Sequence, residues 1–422
     1  MNRLTRLAAD KLRDYIGLPR SIYVLFISRV VNALGNFVYP FLTLFLTQKI
    51  GYSATEASDY FMYSFVFNAV GTMIGGKLAD HLGRKRLMMV FQLLAALSFG
   101  ACAFVSELIW IPRLLITAGF FASAAQPANS AMVTDLTDRH NRKFAMSLLY
   151  LGINIGFTVG PTLAGLLYNY RTEWIFLGNA LANLLTIFLL LFFVKETIPT
   201  AEQIEASKAK SDDEGAESKW LLIALARRPI LLLFMLARFA YSFVYASIGF
   251  AIPLQINNTF GGELGPSYFG YVMSFTGFVV IAFTLPSIKL TSGNKPIINE
   301  ALAGLFYAIG FGMLAFVNNL AWYFVAGFIF TVGEILDVTN SGVFIANHSP
   351  INHRARFNAV LPLFMGSGHT LGIIAFGRII DAYGLKSLWH ICFIMAAIAA
   401  VYMLWLNMFE IRYKCKREGM AA

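Results

Sequence analysis

Twelve apolar runs, each about as long as a bilayer crossing, leave this 422-residue chain few ways to fold. They fall at roughly 21–47, 55–78, 85–106, 108–135, 144–169, 173–195, 229–256, 267–289, 297–317, 321–346, 357–383 and 387–409. A crossing helix needs about 20 apolar residues. In lipid no water satisfies backbone N–H and C=O groups, so each run is expected to be a helix. Composition closes off the soluble alternative. The chain is 58% hydrophobic and only 13% charged, where a soluble protein carries about 25% charged residues. Of its three cysteines, Cys102 and Cys392 fall in apolar runs and Cys415 in a basic tail, a spacing that predicts neither disulfide nor metal site.

Lys and Arg set the orientation. One set of helix ends holds Arg3, Arg6, Lys11 and Arg13, then Arg84, Lys85 and Arg86, then Arg139, Arg142 and Lys143. The same side receives Lys208, Lys210, Arg227, Arg228, Lys295, Arg354, Arg356, Arg412, Lys414 and Lys416, while the opposite ends hold little beyond Lys49, Arg171 and Lys386. Both termini are therefore expected in the cytoplasm. The net charge of +10 then faces anionic membrane lipids rather than nucleic acid. Residues 1–20 read as a retained amphipathic segment on the cytoplasmic surface, because a full-length span follows with no small-residue cleavage site. The polar stretch 196–228 reads as a cytoplasmic linker between a six-helix bundle at 21–195 and a second at 229–409, with a basic tail at 410–422.

The two halves carry a diverged repeat. Arg29 in span 1 matches Arg238 in span 7 at an offset of 209 residues, and Gly83 and Lys85 match Gly293 and Lys295 at 210. Asn129-Ser130 matches Asn340-Ser341 at 211, which sets Gln126 against Asp337. Paired halves of this kind place a binding site near the bilayer midplane and work by rocking one half against the other.

Between spans 2 and 3 lies Gly76-Lys77-Leu78-Ala79-Asp80-His81-Leu82-Gly83-Arg84-Lys85-Arg86. This loop resembles the signature loop of the major facilitator superfamily of transporters. The resemblance implies an all-α membrane fold of 12 transmembrane helices in two pseudo-symmetric six-helix bundles, working as a monomer without cofactor. It also implies that Asp80, Arg84 and Lys85, with Gly76 and Gly83 shaping the turn and Asp135 at the end of span 4, latch the cytoplasmic side. In span 5, Gly152, Gly156 and Gly160 recur every fourth residue, followed by Pro161 and Gly165. Such spacing makes a smooth groove for another helix, and proline removes a backbone hydrogen bond. The run resembles the antiporter motif of drug exporters.

Carboxylates deep in a membrane helix are functional candidates by default. Glu334 and Asp337, three residues apart on one face of span 10, are the expected proton carriers. Arg29, with Asn32 and Asn36 near its face, and Arg238, near Tyr241, leave two readings open. They clamp an anionic substrate, or they neutralise the acids of span 10. Gln126 and His369 complete the expected substrate cavity. No catalytic triad or phosphate-cradling loop occurs, so neither an enzyme nor an ATP-driven pump is expected. The resemblance is to the twelve-span drug/proton antiporter branch, which implies a bacterial plasma-membrane exporter of small lipophilic compounds driven by protons. A proton-coupled peptide-type symporter and an organic-anion or lipid exporter using Arg29 and Arg238 are the alternatives.

Overall fold

The computed structural model describes residues 17–138, 141–197, 229–348 and 354–417, without the side chains of Asp80, Lys143, Ala346, 354–364 and 413–417. Most of the expected N-terminal segment, nearly all of the linker and the end of the basic tail lie outside the described residues.

Among the described residues the chain is helical with no strand. The helices are α1 (Arg20–Leu34), α2 (Val38–Leu44), α3 (Ala54–Leu82), α4 (Arg84–Cys102), α5 (Ile111–Asp135), α6 (Arg142–Tyr170) and α7 (Glu173–Phe193). After the linker come α8 (Pro229–Tyr245), α9 (Ser247–Thr291), α10 (Pro296–Met313), α11 (Leu320–His348) and α12 (Arg354–Arg417). Together α1 and α2 make span 1. Gly35 breaks them apart, and the Asn179 side chain of α7 accepts the freed Phe37 N–H at 3.0 Å. Spans 7 and 8 share α8 and α9, and spans 11 and 12 share α12. Gly261 (φ 81°) and Gly384 (φ 77°) divide α9 and α12, each in a left-handed conformation that only glycine adopts at little cost. Counting those breaks and the more polar α3, the helices reproduce the twelve expected crossings. Large apolar side chains on α7, such as Phe188, Phe192 and Phe193, and on α12, such as Ile398 and Val401, point outward, as lipid contact requires.

The chain forms two compact units. The first comprises 1–51, 62–209 and 262–277, and the second 52–61, 210–261 and 278–422. In the first unit α1 packs on α6 and α7, and α4 on α5 and α7. In the second, α8 packs on α12, and α10 on α11 and α12. The glycine ladder of α6 does what its spacing predicts. A Cβ on Gly156 would come within 2.6 Å of the backbone of Val30 and Leu34, and one on Gly160 within 2.7 Å of the Leu34 carbonyl. The α1 backbone therefore lies directly on that groove.

Candidate functional site

The first unit encloses a polar cavity of about 350 Å³. Arg29 enters it from α1, with Ser28, Asn32 and Asn36 beside it; α3 contributes Asn68, α4 Gln92, α5 Gln126 and Asn129, and α7 Asn179 and Asn183. Arg29 lies nine residues into α1, roughly 13 Å along its axis, or about half the depth of a hydrocarbon core. Its Nη2 donates to Asn129 Oδ1 at 2.7 Å. The expected cavity residues Arg29, Asn32, Asn36 and Gln126 are thus brought together. Asn68, Gln92, Asn179 and Asn183 were missed by sequence reasoning. They come from three different apolar runs, Asn179 and Asn183 sharing one, and only the packing of α3, α4 and α7 around α1 and α5 makes them neighbours.

The second unit holds the acids. Arg238 of α8 is 1% exposed and forms an ion pair with Asp337 of α11. Its Nη1 also lies 3.8 Å from Glu300 Oε2, on α10. Tyr307 donates to Asp337 Oδ2 at 3.2 Å, and Tyr241 to the Glu300 backbone carbonyl at 2.9 Å. Glu334 accepts a hydrogen bond from Tyr245 and acts electrostatically on Tyr307, so it borders the same cluster. Two carboxylates therefore share one guanidinium inside the bundle, with a third, Glu334, beside their tyrosines. A buried charge is tolerable only when paired and hydrogen-bonded.

Of the two readings open for Arg238, the contacts match the second: it is held by Asp337 and Glu300. One expectation needs correction. Tyr241 does not line an open cavity. It is 1% exposed, and its ring packs edge-on against Tyr307. His369, on α12, belongs to neither constellation. Glu300 escaped sequence reasoning because it lies five residues after Lys295, where it reads as a loop charge. Its position inside the apolar run 297–317, one helical turn before Gly304, was the available signal.

At the end of α5 the structure brings two of the expected latch residues together. Arg84 Nε stands 3.5 Å from Asp135 Oδ2, and Arg84 Nη1 donates to the Ala79 carbonyl at 2.5 Å. The Asp80 side chain lies outside the described residues. Lys85 Nζ reaches the Leu191 carbonyl at 2.9 Å. A further acid joins them. Glu196, just past α7, accepts the backbone N–H groups of Arg84 (2.8 Å), Lys85 (3.2 Å) and Arg86 (3.3 Å). It thereby caps the otherwise unpaired N-terminus of α4. Partial burial raises its pKa, but the hydrogen bonds from Thr197, Lys85, Arg86 and Arg84 outweigh this and hold it below the ordinary glutamate range. Gly83 (φ 91°) makes the approach feasible, since a Cβ there would lie 2.5 Å from Glu196 Oε2.

A polar cavity around a membrane-helix arginine, a buried acid cluster and a charged loop at helix ends are the parts of a secondary transporter. The model of the Major Facilitator Superfamily matches residues 25–372. The chain belongs to this superfamily. Among curated relatives, it is 24% identical over 370 residues to a Na(+), Li(+), K(+)/H(+) antiporter of Planococcus maritimus, covering 80% of this chain and 84% of that one. It is 22% identical over 386 residues to the multi-drug resistance efflux pump PmrA of Streptococcus pneumoniae, covering 89% and 92%. Among solved structures, a POT family transporter in complex with a thioalcohol-conjugated peptide superposes with a TM-score of 0.73 over 94% of this chain and 99% of that one, at 12% identity. That last likeness is one of fold. The superfamily member described here is therefore a multi-pass membrane transporter for a small-molecule substrate.

Proposed function

We propose that this transporter is a proton-coupled antiporter that exports small organic compounds, lipophilic ones among them, by alternating access. The observation that carries the reading is the buried Arg238–Asp337–Glu300 cluster with Glu334 at its border. One guanidinium shared by two carboxylates, with a third nearby, leaves capacity for protons, and the surplus charge couples their binding to the protein's conformation. Glu334 is the principal proton carrier and Asp337 the second. Arg84 and Asp135, with Asp80, Lys85 and the Gly76 and Gly83 turns, latch the cytoplasmic ends. Gly152, Gly156, Gly160, Pro161 and Gly165 give α6 its sliding surface. The curated relatives named above, an ion/proton antiporter and a drug efflux pump, support exchange and export. The protein acts as a monomer in the bacterial plasma membrane, surrounded by lipid, with both termini in the cytoplasm.

The test is reconstitution in proteoliposomes with an imposed pH gradient and an internal pH dye. Lipophilic cations, dipeptides and organic phosphates are offered in turn. A substrate from the panel should drive proton flux opposite to its own movement. Glu334→Gln should abolish the coupled flux while leaving substrate binding intact. Full coupling in Glu334→Gln, or co-directional flux of proton and substrate, would overturn the proposal.

A further inference from the structure

The two repeat-related arginines live in opposite electrostatic surroundings. Arg238 is matched by Asp337 and Glu300. At the repeat position of Asp337 the first unit carries Gln126, and among the described residues no carboxylate lines the Arg29 cavity. Arg29 is instead held through one nitrogen by the neutral Asn129. Its Nε is buried without a hydrogen-bond partner. A desolvated cation in this state lacks its counter-charge.

The remaining walls narrow the ligand further. Asn68 Oδ1 and Gln92 Oε1 are buried acceptors without donors, and Ser28 Oγ is likewise unpartnered. A bare carboxylate or phosphate satisfies Arg29 but has no proton to give those acceptors, whereas a hydroxyl both donates and accepts. A lipophilic cation meets a guanidinium of its own sign and walls half of whose residues are amides. The cavity volume of about 350 Å³ is at the small end for ligand pockets and fits a hexose-sized group.

We propose that this cavity holds the acidic, hydroxylated head of the transported compound, a carboxylate or phosphate ester, with Arg29 as its counter-charge. The site deepens the transporter reading above and depends on it for its biological role, though not for its test. Lipophilicity, where a substrate has it, belongs to the rest of the molecule.

Equilibrium binding to the purified full-length protein in detergent, with no pH gradient, tests it by titration calorimetry. Glucuronate and glucose 6-phosphate probe the two sources of the oxyanion. Glucose and tetraphenylphosphonium are the neutral and cationic controls. One of the two anions should bind at least tenfold more tightly than either control, and the tighter one identifies the acid as carboxylate or phosphate ester. Arg29→Gln should weaken that anion at least tenfold. Gln126→Asp, which keeps the arginine and supplies the missing acid, should abolish anion binding and decides the matter if Arg29→Gln does not fold. Gln92→Leu should weaken glucuronate but leave propionate, which has no hydroxyl, unchanged. Preference for tetraphenylphosphonium, or anion binding undiminished in Gln126→Asp, overturns the proposal. Loss of proton coupling with anion binding intact refutes the antiport reading alone. Absent anion binding with Glu334-dependent coupling intact refutes this one alone.

Discussion

A single side chain, Arg238, decides how the second unit tolerates its acids. Removing one partner of a buried ion pair typically costs about 3–5 kcal/mol, because the remaining charge stays buried and unpaired. Arg238→Met leaves Asp337 and Glu300 facing each other, so thermal unfolding in detergent should show a loss of that order. The triple variant Arg238→Met/Asp337→Asn/Glu300→Gln should recover most of it, since neutral groups of the same shape need no counter-charge. A stable Arg238→Met single variant would mean that the pair contributes little. At this scale the sequence was legible where a polar residue interrupts an apolar run conspicuously. Arg29, Arg238, Glu334 and Asp337 are of that kind. Glu300 was not, because its position near the start of a span made it look solvated. Only the arrival of α8 beside α10 shows that it is 0% exposed.

At the scale of the helix, α4 depends on a cap borrowed from beyond α7. Its first N–H groups have no intrahelical acceptors, and the Glu196 carboxylate supplies them together with a negative charge at the positive end of the helix dipole. Glu196→Gln should destabilise the protein by roughly 1 kcal/mol, a modest value because the carboxylate is exposed and screened. The sign of its pH dependence follows from the lowered pKa. The stabilisation is complete above the unfolded glutamate value of about 4.3 and disappears as the pH falls through the lower folded value. Melting curves of wild type and Glu196→Gln should therefore separate at neutral pH and converge in acid; parallel curves at every pH would exclude an ionic cap. The loop residues Arg84, Lys85 and Asp135 stood out through the resemblance to the superfamily's signature loop. Glu196 could not, because it begins a polar stretch whose composition says only that it is a linker. Helix existence was likewise legible from apolar run length, while the Gly35 break inside span 1 was hidden by continuous hydrophobicity on either side.

Across the whole molecule the charge is divided between the units. The first carries a cation without an acid in its cavity, and the second carries acids in excess around one arginine. If the first receives an oxyanion and the second a proton, exchange moves charge in a distinctive way. A monoanion leaving as one proton enters carries two charges down an inside-negative potential, each worth about 2.3 kcal/mol per 100 mV. A monovalent cation leaving for one proton carries none. Clamping proteoliposomes with valinomycin and a potassium gradient separates the two. With a monoanion such as glucuronate, a 100 mV inside-negative potential should raise its steady-state export ratio by roughly three decades, since about 1.4 kcal/mol is tenfold. The response should vanish in Glu334→Gln, in which the proton half of the exchange is missing. Export indifferent to the potential would show an electroneutral cation exchange, and the division of charge between the two units would then serve stability rather than transport.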